Sequence, residues 1–288
     1  GAGESGRVWT YHYNYAPTDS TYDNNSHNLK NGGNQHRMAV LKPPYNTGSF
    51  PGIVLFPQAS YNGTWGDTTT TSMSENEKML IGFIEEKLIS RYHVDPNRIV
   101  AHGLSNGAKA VWALAQKRPD LFAAILPMSG VPYNKNTASD ILLTTPLRLF
   151  QGGLDKNPTP NAAQQVINAF VAKGGSPQYF LYQDLGHGTW NRAYNEPDFF
   201  LWVRNQDKRR IHVFGGSTEL CNNVIKLGFS AGMTAYQWTK DGVDLAGATT
   251  RYLPNINQPG RYAVKFQRPN GQWDVSFDLQ IVSSSSCS

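Results

Sequence analysis

A chain of 288 residues with 39% hydrophobic and 16% charged side chains can bury a sizeable core, and none of its apolar runs nears the roughly 18 residues of a membrane-spanning helix. With 27 glycines, 17 prolines and 12% aromatic residues, collagen-like and disordered classes drop out. The net charge of +5 is spread along the chain, and its longest basic run is Lys208-Arg209-Arg210, so no nucleic-acid footprint is expected.

Residues 7–50 are rich in Asn, Tyr, Thr and Gly without clear periodicity; they are assigned no structure beyond long loops that could line a cleft. From Gly52 to about Gln206, short apolar runs alternate with helical stretches, which predicts a mostly parallel sheet flanked by helices. Strands are predicted over Ile53–Phe56, Arg98–His102, Ala123–Pro127, Leu147–Gln151 and Tyr179–Tyr182. Between them, Glu75–Arg91 carries Met79, Leu80, Phe83, Ile84 and Leu88 at helical spacing. Ala108–Gln116 is rich in helix formers, and Ala162–Lys173 ends at Gly174-Gly175.

After residue 207 the period changes. Val224–Phe229, Ala235–Trp238, Arg261–Phe266 and Val275–Val282 read as short strands between Gly, Asp, Asn and Pro turns, followed by the polar tail Ser283–Ser286. Two domains are therefore expected: residues 1–207 as an α/β catalytic domain, and residues 208–288 as a small all-β sandwich dispensable for chemistry on small substrates. The run from Tyr236-Gln237-Trp238 through Lys240-Asp241-Gly242 to Gly260-Arg261-Tyr262 resembles the immunoglobulin-like modules appended to secreted bacterial enzymes. That resemblance implies Trp238 as the buried core tryptophan and Tyr262 on a late strand. The chain's two cysteines, Cys221 and Cys287, allow one disulfide, which would add about 4 kcal/mol in the chain-entropy account and point to an oxidising compartment. Two unpaired thiols are the alternative.

The sharpest chemical signal is Gly103-Leu104-Ser105-Asn106-Gly107 between a predicted strand and a predicted helix. In a nucleophile elbow the serine occupies a strained strand-to-helix turn, and the residues two before and two after it must be small. Gly103 and Gly107 meet that need, and the turn aims the N–H of Asn106 at a substrate oxyanion. A serine nucleophile needs a base, and the base a carboxylate, in the order Ser, acid, His. Of the histidines after Ser105, His187 sits in a glycine-flanked loop directly after a predicted strand, whereas His212 stands at the module boundary. Asp155, four residues past the strand ending at Gln151, is favoured as the acid; Asp184, in the same loop as His187, is the competitor. Gln58, Tyr61 and Trp65 after one strand, and Trp190 after the base, are candidates to line a substrate pocket. Packing of the His187 loop is the other reading of Trp190 and Tyr194. No metal or nucleotide signature is present, and no cofactor is expected.

Five segments carry a wider resemblance: Gly1-Ala2-Gly3-Glu4-Ser5-Gly6, Asp95-Pro96-Asn97-Arg98-Ile99-Val100, the elbow itself, Arg118-Pro119-Asp120-Leu121-Phe122-Ala123-Ala124, and Gly186-His187-Gly188-Thr189-Trp190-Asn191-Arg192-Ala193-Tyr194-Asn195. Together they resemble the esterase branch of the α/β-hydrolases described as predicted peptidases, related to feruloyl esterases and polyhydroxybutyrate depolymerases. The resemblance implies an α/β-hydrolase fold, a carboxylic ester substrate, polysaccharide-linked or otherwise polymer-linked, and a second oxyanion donor from Ala2 or Gly3. It also implies a secreted, periplasmic or cell-surface bacterial protein, although Gly1 to Gly6 has neither the basic nor the apolar region of a secretory leader. Two features depart from the family. The strand and histidine that precede the glycine-rich loop are missing, which predicts a gap in the sheet, and Asn106-Gly107-Ala108 stands in place of Met-Gly-Gly. A serine peptidase, or a binding protein on an inactive hydrolase scaffold, are the alternatives.

Overall fold

The computed structural model describes residues 7–12 (as backbone), 52–55, 57, 65 and 71–284. Strands β1 (Arg7–His12), β2 (Val54–Leu55), β3 (Ile99–Leu104), β4 (Ala124–Met128), β5 (Arg148–Gly152) and β6 (Gln178–Tyr182) form one parallel sheet in the order β2-β1-β3-β4-β5-β6. β1 is a correction to the reading of residues 7–50 as unstructured. Residues Arg7 to His12 pair in unbroken register with Ile99 to Leu104, so the row between β2 and β3 is occupied where the missing family strand predicted a gap.

The sheet is covered on both faces, as parallel strands with apolar residues at successive positions require. Ile99, Ala101, Ile125 and Leu149 enter one hydrophobic cluster, while Val100, Leu104, Ala124, Leu126 and Phe150 enter the other. Helix α1 (Glu75–Gly82) continues as a π-helical stretch, Phe83–Ile89, and ends at Ser90–Tyr92; it starts at a capping box in which Ser74 and Glu77 exchange hydrogen bonds. Glu77 is fully buried and also takes the ammonium of Lys117 at 2.9 Å. Helix α2 (Asn106–Lys117) is rich in alanine and buried along most of its length, and it packs on β3 and β4. Helices α3 (Lys135–Ile141), α4 (Pro160–Val171), α5 (Trp190–Ala193) and α6 (Phe199–Arg204) complete the layers. Of these, only α4 is legible as a helix in the sequence.

Among the described residues beyond 210 the chain is all β. Strands β7 (His212–Val213), β9 (Ile225–Gly228) and β12 (Tyr252–Ile256) form one sheet. Strands β8 (Glu219–Leu220), β10 (Ala235–Lys240), β11 (Val243–Asp244), β13 (Gly260–Gln267), β14 (Trp273–Val275) and β15 (Leu279–Ser283) form another. The two share one hydrophobic cluster containing Leu227, Trp238, Tyr262, Val264, Phe266 and Ile281. The single strand predicted over Val275–Val282 is two, because Ser276 to Asp278 lie between β14 and β15. Cys221 is disulfide-bonded; Cys287 lies outside the described residues.

Polar contacts join this part to the parallel sheet. Lys208 Nζ donates to the Pro119 carbonyl at 2.7 Å and to Ser230 Oγ at 2.8 Å, and Thr144 Oγ1 donates to the Phe229 carbonyl. Arg268 donates to Asn97 Oδ1, and His212 Nε2 bonds to the Gly174 carbonyl. Burial holds the His212 imidazole below its ordinary pKa.

Candidate active site

The site is assembled at the carboxyl ends of β3, β4, β5 and β6, where open α/β sheets place their ligands. Ser105 follows β3 and caps α2 with φ 55° and ψ −118°, a backbone conformation that costs an L residue energy and turns its side chain out of the sheet. The turn can pack only because residue 130 is glycine. A Cβ there would stand 2.5 Å from the Ala108 Cβ and 2.8 Å from the Ser105 carbonyl oxygen.

The structure brings Ser105, His187 and Asp155 into one hydrogen-bonded chain. Ser105 Oγ lies 2.8 Å from His187 Nε2, and His187 Nδ1 lies 2.9 Å from Asp155 Oδ2. With the carboxylate accepting at Nδ1, the imidazole proton belongs on Nδ1 and Nε2 faces the serine hydroxyl as an acceptor. The Asp155 side chain is 3% exposed and that of His187 40%, so the acid is buried while the imidazole opens to solvent. Asp155 Oδ1 accepts the N–H of Asn157 at 2.9 Å, and its Oδ2 also receives Nε2 of the buried Gln151 at 3.3 Å.

The loops that carry acid and base are laced together. Gly153 N donates to the Tyr182 carbonyl at 2.7 Å, and Leu154 N to the Leu185 carbonyl at 2.9 Å. Gly152 permits that approach, since a Cβ on it would lie 1.9 Å from the Gly186 carbonyl oxygen. Ser129 directly follows β4 at φ 50°, and its hydroxyl donates to the His187 carbonyl. With that proton committed, the buried Thr189 hydroxyl is the donor in its 2.8 Å contact with Ser129 Oγ. Nothing in the sequence marks Ser129, Gly130, Gly152, Gln151 and Thr189 for these contacts beyond a place at or just after a predicted strand end or in the segment around His187.

Asp184 is directed elsewhere. Both of its oxygens take the guanidinium of Arg192, at 2.6 and 2.8 Å, and that hydrogen bonding holds its carboxyl down at about 2. Arg192 lies over the Tyr182 ring, whose hydroxyl donates to Glu196 at 2.7 Å; burial, reinforced by Glu196, holds that phenol above its ordinary range. Trp190 meets the His187 ring edge-on at 6.1 Å. Tyr194 is buried and bonds to His102 at 3.1 Å, so it packs beneath the loop. Trp65 is 5% exposed and belongs to the cluster around Ile84 and Trp112, a core position that differs from the pocket-lining place expected for it. Ala2, Gly3, Gln58 and Tyr61 lie outside the described residues. Asn106, as the first residue of α2, has an N–H with no acceptor inside its own helix.

Among the described residues no group of three His, Cys, Asp or Glu side chains could hold a metal ion, and no helix is long and apolar enough to cross a membrane. A family model described as the prolyl oligopeptidase family matches residues 65–145. A probable acetylxylan esterase A of Aspergillus fumigatus is 33% identical over 168 residues, covering 50% of this chain and 45% of that protein. A poly(3-hydroxyalkanoate) depolymerase C of Paucimonas lemoignei is 25% identical over 126 residues, covering 44% and 28%. The chain thus spans less than half the length of these relatives. Among solved structures, a thermostable esterase superposes with a TM-score of 0.59 at 23% identity, covering 71% of this chain and 55% of that one. A ferulic acid esterase gives 0.51 at 14% identity, covering 70% and 86%. The parallel sheet with its flanking helices is an α/β-hydrolase fold.

Proposed function

We propose that the chain is a serine esterase that cleaves carboxylic esters through an acyl-enzyme. The observation that carries this reading is the continuous chain from Ser105 Oγ through His187 to Asp155, at 2.8 and 2.9 Å, on an elbow with positive φ. Ser105 Oγ attacks the ester carbonyl while His187 Nε2 takes its proton, and the resulting imidazolium is stabilised by the buried Asp155 carboxylate. The Asn106 N–H receives the oxyanion, with Ala2 or Gly3 as the second donor. His187 returns the proton to the leaving alcohol, and water, activated by the same imidazole, releases the acid and restores the serine.

The substrate class we favour is a polymer-linked ester. The matches to an acetylxylan esterase and a polyhydroxyalkanoate depolymerase support it, as does the solvent-open His187. Residues 208–288 act as an immunoglobulin-like sandwich outside the catalytic domain of residues 1–207. Supporting that division are the fully buried Trp238 and the bond from the Tyr262 hydroxyl to the Gln258 carbonyl four residues upstream. The disulfide at Cys221 supports residence in an oxidising, extracytoplasmic compartment. Peptide hydrolysis is the second reading, favoured by the prolyl oligopeptidase description of the matching family model.

The test is a fluorophosphonate probe followed by peptide mapping, beside turnover of p-nitrophenyl esters, methyl ferulate, acetylated xylan and a p-nitroanilide peptide. An adduct on Ser105 is expected, with ester turnover lost in Ser105→Ala by several orders of magnitude while the protein stays folded. An adduct on another residue overturns the assignment, and faster anilide than ester cleavage selects the peptidase.

A further inference from the structure

A cavity lies at the end of the sheet opposite Ser105. Pro96 precedes β3, and Pro119 to Leu121 precede β4, so the cleft they line opens at the amino ends of the strands, opposite Ser105. Its other wall is the β13 to β14 hairpin with Arg268, Asn270 and Gln272, and its volume is about 620 Å³, within the range of small-molecule sites and at a junction of the kind where such sites form.

The charges that line the cleft are matched internally. Lys117 is paired with the buried Glu77, and Arg268 with Asp274. Arg118 forks onto both oxygens of Asp120 at 2.9 and 2.7 Å and reaches Glu85 with its remaining reach. Burial works against the Arg118 charge, but those two carboxylates overcome it and hold the guanidinium above its ordinary pKa. An anionic ligand would have to displace a carboxylate from Arg118, and a cation would have to displace the guanidinium from Asp120. Each exchange breaks a charge-assisted fork. An uncharged ligand whose hydroxyls both donate and accept meets no such penalty. Carboxylate oxygens and guanidinium N–H groups then serve it side by side, and the exposed Asn270 and Gln272 supply amides on the rim. Pro96, Pro119, Pro269 and Ile89 give the same cleft apolar surface suited to the C–H faces of a sugar ring. The residue after Gln272 in the hairpin, Trp273, is 51% exposed.

We propose that this cleft is a binding site for a neutral saccharide chain. It holds the chain at the opposite end of the sheet from Ser105, so it acts as an anchor that raises the local concentration of a polymer and takes no part in bond cleavage. The inference does not depend on the esterase reading.

Calorimetric titration of Ser105→Ala protein with xylohexaose, cellohexaose and, as a charged comparator, tetragalacturonate tests it. Saturable binding of at least one neutral hexaose is expected, with tetragalacturonate weaker. The double variant Asn270→Ala/Gln272→Ala, added to Ser105→Ala, should weaken it about fivefold or more, as loss of one or two hydrogen bonds implies. Asn270 Oδ1 also accepts the Gln272 N–H at 3.0 Å in the hairpin turn, so in the otherwise wild-type chain the pair of changes should leave turnover of p-nitrophenyl acetate unchanged, and Gln272→Ala alone, which keeps that bond, should leave melting unchanged as well. Absence of binding to either neutral hexaose, binding indifferent to the double variant, or tighter binding of tetragalacturonate would each overturn the proposal. Failure of ester turnover in the wild-type chain would strike the esterase reading alone.

Discussion

The hydroxyl of Ser129 hydrogen-bonds to the carbonyl oxygen of His187 at 2.6 Å, tying the end of β4 to a loop 58 positions away in the chain. The same carbonyl accepts the Thr189 N–H at 3.0 Å, and the Thr189 hydroxyl closes the triangle on Ser129. His187 is 40% exposed at its side chain, so these backbone ties do much to set its position.

Ser129→Ala should therefore lower kcat on p-nitrophenyl acetate by about ten- to a hundred-fold with a small change in KM, because a displaced imidazole loses alignment with Ser105 while substrate contacts persist. Steady-state kinetics beside a melting curve check it. Unchanged kcat in a folded protein would remove Ser129 from the positioning of the base.

For the acid, Asp155→Asn should cost on the order of 10⁴ in kcat, since an amide in that place favours the wrong imidazole tautomer. Asp184→Asn should stay within a few-fold, because its carboxylate serves Arg192 on the surface. The ranking is read from kcat of the two purified variants, and the reverse order hands the role to Asp184.

Gly152→Ala probes the close approach of the acid and base loops. Its new methyl would overlap the Gly186 carbonyl, so the His187 loop must move. The expected result is a loss of about 2–3 kcal/mol in stability by urea unfolding together with a drop in kcat larger than that of Ser129→Ala.

A protein ending at Gln206 should keep kcat/KM on a soluble ester within a few-fold at 20 °C yet melt at a lower temperature than the full chain. None of Ser105, Asp155 and His187 lies beyond residue 206, but Pro119, Asn97 and Gly174 lose the partners that Lys208, Arg268 and His212 supply. Loss of soluble-ester activity in a folded truncation would argue that the β-rich part belongs to the catalytic unit.

Lys208 gives a pH signature. Its burial pushes the ammonium down to about 7, with Asp120 favouring the charge and Arg268 and Arg118 opposing it. Between pH 7 and about 10.5 the unfolded chain holds a proton on this lysine that the folded chain has released, so stability rises with pH in that window by up to roughly 1.4 kcal/mol per unit. Lys208→Met lacks that rise. Its stability relative to the wild type should be greatest at or below pH 7 and fall steadily toward pH 10, as read by urea unfolding of both proteins.

Much of the scaffold is local in origin. Ile99, Val100 and Ala101 are apolar in succession, and such a run is how a strand with both faces covered announces itself. Gly103 and Gly107 around Ser105 encode a turn whose demand for small side chains is local, and Asp155 and His187 stand just past strand ends that periodicity locates. What the sequence could not decide depends on partners far away in the chain. Arg7 to His12 becomes a strand because β2 and β3 offer it two edges, and it is Asp155 that meets His187 while Asp184 pairs with Arg192. Trp65 faces the core, although its position after a strand end suited a pocket equally well. Ser129, Gly130 and Gly152 owe their importance to atoms 22 to 58 positions away, and local propensity carries no record of contacts closed only when the loops of β4, β5 and β6 meet.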